Sequence, residues 1–308
     1  MSAYRELLSY IEEDSKDNEA VLGFSFGNEA EYMSIETKDT FKVLGKKYGK
    51  ILQSLNYSGY ILIGHCVGGL IALEAAEFLK KSNIKVSDVT LISATIQKSK
   101  NNTNFYALTD EMYNKALRTS LENELLLERT FSKLINVNEE KAGYTVKQDT
   151  LEECIEWIVK EGNGEVSAES FCNLHGKYEK VGNEFRKLAS RPLSERLNKL
   201  YTAIERNDSE LMDHERKLLN TLFNIFSQNF GCVASHKPMP YYGKVRIFSC
   251  EQQGASFYRK FFGEDLETWR PYIKGEYEYD IISGEHFDCI SGENLKENLS
   301  KILNFTYE

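Results

Sequence analysis

The stretch "YILIGHCVGGLIALEAAEF" (residues 60–78) decides the fold. Its opening run, "YILIG", is almost continuously apolar, as expected for a strand buried on both faces of a parallel sheet. From residue 70 to 83 the pattern is that of an Ala- and Leu-rich helix. Gly64, Gly68 and Gly69 enclose His65, Cys66 and Val67, which leaves room only for a very tight strand-to-helix turn. Working outward, "KVSDVTLISA" (85–94), "KVRIFSC" (244–250) and "YEYDIIS" (277–283) read as further strands, and "SGENLKENLSKILNF" (291–305) as a closing helix. Toward the amino terminus, residues 4–13 read as a short helix and "AVLGFSF" (20–26) as a strand. Within 34–56, Phe41, Leu44, Tyr48, Ile51, Leu52 and Leu55 recur at helical spacing. Alternating strands and helices predict an α/β protein with a mostly parallel sheet.

Residues 101–235 change character, being polar, charged and helix-rich with no convincing strand. The clearest segment, "SELMDHERKLLNTLFNIFSQNF" (209–230), places Leu211, Leu218, Leu219, Leu222, Phe223, Phe226 and Phe230 along one face, the pattern of helix-on-helix packing. After "KPMPYYG" (237–243), a Pro-containing turn, the β/α alternation returns. The expected organisation is a sheet domain in two parts, 1–100 and 236–308, interrupted by a helical insertion, 101–235.

Bulk properties narrow the function. A chain of 308 residues can bury an ample core, and a formal charge of −9 argues against a nucleic-acid or anionic-membrane surface. No run approaches the roughly 20 apolar residues of a membrane span. The start, "MSAYRELLSYIEED", lacks the basic head and apolar run of a signal peptide. Six cysteines (66, 154, 172, 232, 250 and 289) are scattered with no C-x-x-C pair, which in an unexported chain favours reduced thiols over disulfides or a metal site and makes the cytoplasm the expected location; no phosphate-binding loop stands apart from the glycines of 64–69, and no bound cofactor is expected.

The turn at Cys66 has the context of a nucleophile elbow, with cysteine where G-x-S-x-G has serine. In such a turn the central residue is strained, and side chains at Gly64 and Gly68 are expected to collide with the neighbouring strand and helix. The sulfur then lies at a helix N-terminus, where the dipole lowers a thiol pKa and the Val67 N–H faces an oxyanion. His65 is expected to pack or hydrogen-bond nearby. His286, in the loop between the last strand and the closing helix, is the candidate base, following the nucleophile in chain order. His175, His214 and His236 read as structural or solvent-facing.

On "YILIGHCVGGLIALEAAEFLKKSNIKVSDVTLIS", "FSQNFGCVASHKPMPYYGKVRIFS" and "DIISGEHFDCISGENLKENLSKIL", the chain resembles the thioesterase domains of non-ribosomal peptide and polyketide synthases, which are α/β-hydrolases. The resemblance implies that 101–235 is an enlarged helical lid over an acyl chamber. It implies an acyl or peptidyl chain, delivered on the phosphopantetheine arm of a carrier protein and loaded onto Cys66. Release then follows by cyclisation, by transfer to a small-molecule acceptor, or by hydrolysis. The family commonly carries its triad aspartate where this chain has Ser93; a minority arrangement, with the acid after the next strand, points to Glu251, in preference to Asp280 or Glu285. A Cys–His pair resting as thiolate and imidazolium relaxes the demand for that acid. The family's first strand and oxyanion loop precede a helix like "YRELLSYI"; with Met1 just before that helix, the expectation is a chain trimmed from a longer protein, another element in their place, or reduced activity. Two rival readings are a non-catalytic carrier-protein-binding module and an esterase acting on small molecules.

Overall fold

The computed structural model describes residues 2–15, 19–137, 139–161, 164–204, 211–252 and 257–304. In chain order the first elements are α1 (Ser2–Asp14), α2 (Glu29–Met33), α3 (Thr40–Leu55), β1 (Tyr60–His65), α4 (Val67–Lys81), β2 (Val86–Ile92) and β3 (Ile96–Gln97). Helices α5 (Asp110–Glu122), α6 (Glu124–Leu134), α7 (Gln148–Glu161), α8 (Ala168–Cys172), α9 (Glu179–Ala189), α10 (Leu193–Thr202) and α11 (Asp213–Ser235) follow. Then come β4 (Val245–Gln252), β5 (Phe262–Gly263), α12 (Leu266–Trp269), β6 (Tyr277–Glu285) and α13 (Gly292–Ile302). Two compact units result. One comprises Met1–Gln97, Ser235–Gly254 and Gly263–Glu308; the other comprises Lys98–Ala234 and Ala255–Phe262.

The first unit is built on a parallel four-stranded sheet of order β1-β2-β4-β6. Gly64 pairs with Leu91, and Ile92 with Phe248, so the strands end together on one side. Central β2 is buried over its last five residues, where Val89, Leu91 and Ile92 pack apolar surface and the Thr90 hydroxyl donates to Asp88. Ile92, Phe248, Ile282, Ile290, Leu295 and Ile302 form the core between the sheet and α13. Edge strand β6 is exposed over its first five residues and enters the core only at Ile282. The strand expected at 20–26 does not form: that stretch is mostly exposed and carries no strand pairing.

The second unit, taken alone, is helical. Buried Arg129 donates to the Val146 carbonyl at 2.7 Å and stacks on Tyr144, while Arg196 grips Glu128 through its Nε. Phe261 stacks on Phe105, which ties residues 257–262 to this unit. The predicted face of α11 needs correction. Phe223 and Phe226 are buried, but Leu218 is 58% exposed and Leu222 40%. The packed stripe runs Leu219, Phe223, Phe226, Phe230, at steps of four, three and four, and residues 218 and 222 lie about 100° to one side. Residues 209–210 and 305, included in the two expected helices, fall outside the described residues.

His236, in the first unit, is buried with its ring edge against Phe41 and its Nε2 3.5 Å from Glu74. Its Nδ1 is buried without a hydrogen-bond partner among the described residues. Burial, then the charge of Lys42, pushes its pKa down to about 4. Between that value and the unfolded value of about 6.5 the unfolded chain binds a proton that the native state refuses. Stability therefore falls as pH drops through this window. His236→Phe removes that proton site and is expected to shrink the loss of Tm between pH 7 and pH 4.5, measured by thermal denaturation at both; an unchanged or larger loss contradicts it.

Candidate active site

Cys66 links β1 to α4 with φ 56° and ψ −128°, a conformation that costs a non-glycine residue about 1–3 kcal/mol. Neighbouring backbone holds it: the Cys66 N–H donates to the Ile92 carbonyl at 2.9 Å, and the Gly69 N–H to the Cys66 carbonyl at 3.1 Å. A Cβ on Gly64 would lie 2.3 Å from the carbonyl carbon of Gly68, and one on Gly69 2.7 Å from the Ala94 Cβ. The expected clash at Gly68 itself is absent, since a Cβ there meets nothing within 4 Å. Gly68 is the backbone against which Gly64 is pressed, and the second close approach is made by Gly69. Helix α4 begins at Val67, whose N–H has no intrahelical acceptor and favours the ionised form of the adjacent Cys66 sulfur.

The site's charge state differs from the expected ion pair. Burial pushes the Cys66 thiol up to about 11, outweighing the Val67 N–H, and pushes the His286 imidazole down to about 3. The resting groups are therefore a neutral thiol and a neutral imidazole, because desolvation in this crevice exceeds the help of one helix terminus. Among the described residues no hydrogen bond joins Cys66 Sγ to His286.

His286 directly follows β6, whose penultimate residue, Gly284, sits at φ 98°. Asn298 of α13 fastens that loop from beneath, accepting the Ser283 N–H and donating to the carbonyls of Ser283 and Cys289. From the elbow side, His65 Nε2 lies 2.8 Å from the His286 carbonyl and the two rings are 5.2 Å apart. A carbonyl only accepts, so His65 carries its proton on Nε2, and its Nδ1 takes the Tyr4 hydroxyl at 3.0 Å. Burial holds His65 neutral, at about 4. Tyr4 of α1 and His65 thus anchor the backbone of the candidate base, a contact between residues 61 and 221 positions apart.

Behind His286, Ser93 Oγ lies 2.7 Å from Nδ1 and donates to Glu264 Oε2. Ser93 is completely buried and left-handed, at φ 45°. Glu264 is 7% exposed. Its Oε1 accepts the Cys250 N–H at 3.3 Å, and its carbonyl accepts the Ser249 hydroxyl at 2.8 Å. The next residues fix this stretch: Asp265 caps α12 by accepting the Thr268 N–H, and buried Trp269 donates its indole N–H to the Ala94 carbonyl. Glu251, the acid expected from sequence, is exposed at the end of β4. The carboxylate in line with His286 is Glu264's, because strand pleating turns Glu251 outward while its neighbour Cys250 faces the core. Asp280 pairs with Lys301 at the surface. His175 and His214 are exposed. Among the described residues no cluster of His, Cys, Asp or Glu could hold a metal, and no helix is long and apolar enough to cross a membrane.

The elbow geometry separates its glycines. Gly64→Ala is expected to lower Tm by at least ~6 °C, the equivalent of about 3 kcal/mol of overpacking, whereas Gly68→Ala stays within ~2 °C of the parent. Thermal denaturation of the two variants checks this; equal losses contradict it.

The Thioesterase domain family model matches residues 34–306. Pyochelin synthetase PchF of Pseudomonas aeruginosa is 24% identical over 299 residues, which cover 97% of this chain and 14% of that protein. The chain thus spans about 14% of the length of the curated relatives it matches. Among solved structures, a four-domain nonribosomal peptide synthetase bound to AMP and glycine is 14% identical, covers 86% of this chain and 16% of its own, and superposes at a TM-score of 0.42. The thioesterase domain that cyclises the lipopeptide surfactin is 12% identical, with 85% of this chain and 76% of its own covered and a TM-score of 0.39. With an elbow joining parallel strand to helix, and a family match over most of its length, the chain belongs to the thioesterase domain family and has its α/β-hydrolase fold.

Proposed function

We propose that this protein is a cysteine-nucleophile acyl-transfer enzyme that takes an acyl or peptidyl chain from a carrier-protein thioester onto Cys66. The observation that carries the reading is the Cys66 turn. A strained residue presents its sulfur at the C-terminal ends of the strands, with the Val67 N–H next to that sulfur and His286 beside the elbow. A buried structural cysteine has no use for such strain. Family membership supports a thioester as substrate, and the synthetase relative supports a phosphopantetheine arm as its carrier.

In the first step His286 Nε2 takes the Cys66 thiol proton as the sulfur attacks the thioester carbonyl. The carbonyl oxygen becomes an oxyanion facing the Val67 N–H, a donor worth about 2.7–4 kcal/mol in comparable sites. Collapse breaks the bond to pantetheine, whose thiolate recovers the proton from His286. One thioester is exchanged for another, so loading is near thermoneutral and the acyl-enzyme keeps the energy of a thioester. That energy suits ring closure or transfer to a small-molecule amine, alcohol or thiol better than an oxygen ester would, with hydrolysis as the default when water arrives first. Release other than by hydrolysis is therefore the favoured outcome.

Incubation with acetyl and octanoyl thioesters of pantetheine, read by intact mass, tests the reading. An adduct of one acyl group, absent in Cys66→Ala, is expected, and added amine should yield amide. No adduct and no turnover in the folded protein would overturn it in favour of a non-catalytic carrier-binding module; turnover of oxygen esters alone would favour an ordinary esterase.

A further inference from the structure

Ser93 carries no charge, but a buried carboxylate stands directly behind it. We propose that Glu264, acting through the Ser93 hydroxyl, orients His286 as a base and stabilises its imidazolium, so that the working unit is Cys66, His286, Ser93 and Glu264. The proposal rests on the reading of Cys66 as nucleophile and His286 as base, and it makes Ser93 and Glu264 positioning residues.

A serine hydroxyl has one proton. Ser93 gives it to Glu264 Oε2, so its oxygen can only accept from His286 Nδ1 across the 2.7 Å contact. That fixes the Nδ1–H tautomer and leaves Nε2 to take the thiol proton. Glu264 is buried and, among the described residues, pairs with no lysine or arginine; its contacts are Ser93 Oγ, the Cys250 N–H and, through its carbonyl, the Ser249 hydroxyl. A buried carboxylate without a cation is costly unless a positive charge develops beside it. The imidazolium formed when His286 accepts a proton is that charge, one hydroxyl away. The other groups whose charges reach Glu264 are Asp265, Cys66 and Cys289, none of which is cationic. Burial, offset in part by the Ser93 and Cys250 donors, raises the Glu264 pKa above the ordinary carboxylate value. The chain of donors therefore reverses as pH falls through that raised value, since a protonated Glu264 would donate to Ser93, and Ser93 to Nδ1.

Ser93 sits at φ 45°, a conformation that aspartate tolerates better than most residues. Replacing Ser93 by Asp should therefore place a carboxylate directly against Nδ1 and bypass Glu264. The test measures alkylation of Cys66 by iodoacetamide between pH 5 and 9, located by peptide mass, in the parent, Glu264→Gln and the double variant Ser93→Asp/Glu264→Gln. Glu264→Gln should slow alkylation at pH 7 by about tenfold or more and lower kcat on octanoyl-pantetheine about 100-fold with little change in KM. The double variant should recover most of both. Parent-like alkylation with an unchanged pH profile in Glu264→Gln, or a folded double variant no faster than the single one, overturns the proposal. If Glu264→Gln does not fold, Ser93→Ala, which cuts the chain but keeps the charge, decides between the same outcomes. Alkylation that depends on Glu264 in a protein that pantetheine thioesters never acylate would leave the relay standing and sink the acyl-transfer reading.

Discussion

The site depends on how closely β1 approaches the first turn of α4. Gly64 lies against the backbone of Gly68, and Gly69 against Ala94, at separations that no side chain could occupy. Only at that separation can the chain reverse within three residues, and the reversal forces Cys66 to a positive φ. The same turn puts the Val67 N–H next to the sulfur and sets His65 where it reaches the His286 carbonyl. A strain of about 1–3 kcal/mol at one residue is held by the sheet, whose β1–β2 ladder ends in the bond from the Cys66 N–H to the Ile92 carbonyl.

Burial then decides the chemistry. A cysteine at a helix N-terminus beside a histidine could rest as an ion pair, but here both groups are driven to their neutral forms. On the proposed reading of Cys66 as nucleophile, a neutral thiol needs a base at the moment of attack, so the demand for an acid behind His286 returns. The fold meets it from an unusual place. The carboxylate comes from the segment after β5, held by Ser249, Cys250 and the Trp269 anchor, and reaches the imidazole through a serine.

What could be read from the sequence follows the range of each interaction. The elbow is local, so its glycines and apolar flanks announced the strand, the helix and Cys66 together. The position of His286, between the last strand and the closing helix, is legible because it is a matter of chain order; its role as base is a proposal. Glu264 was not legible: it meets Ser93 across 171 positions, and "FFGEDLE" reads as a charged turn. The signal that could have found it is Trp269, a large residue completely buried five positions on, which implies that this turn folds inward. The 20–26 strand failed for the opposite reason: its composition suits a strand, but nothing pairs with it. In α11 the buried stripe is narrower than the apolar pattern of the sequence, since Leu218 and Leu222 occupy an exposed flank.

The most direct test of this account is the tautomer of His286 in the resting protein, read from the ¹⁵N shifts of its ring nitrogens at neutral pH. The account predicts a neutral ring with the proton on Nδ1, held in the bond to Ser93, and an unprotonated Nε2. An imidazolium at neutral pH, or a ring protonated on Nε2, would contradict it: the first would restore the resting ion pair, and the second would mean that the proton chain runs from Glu264 toward the histidine.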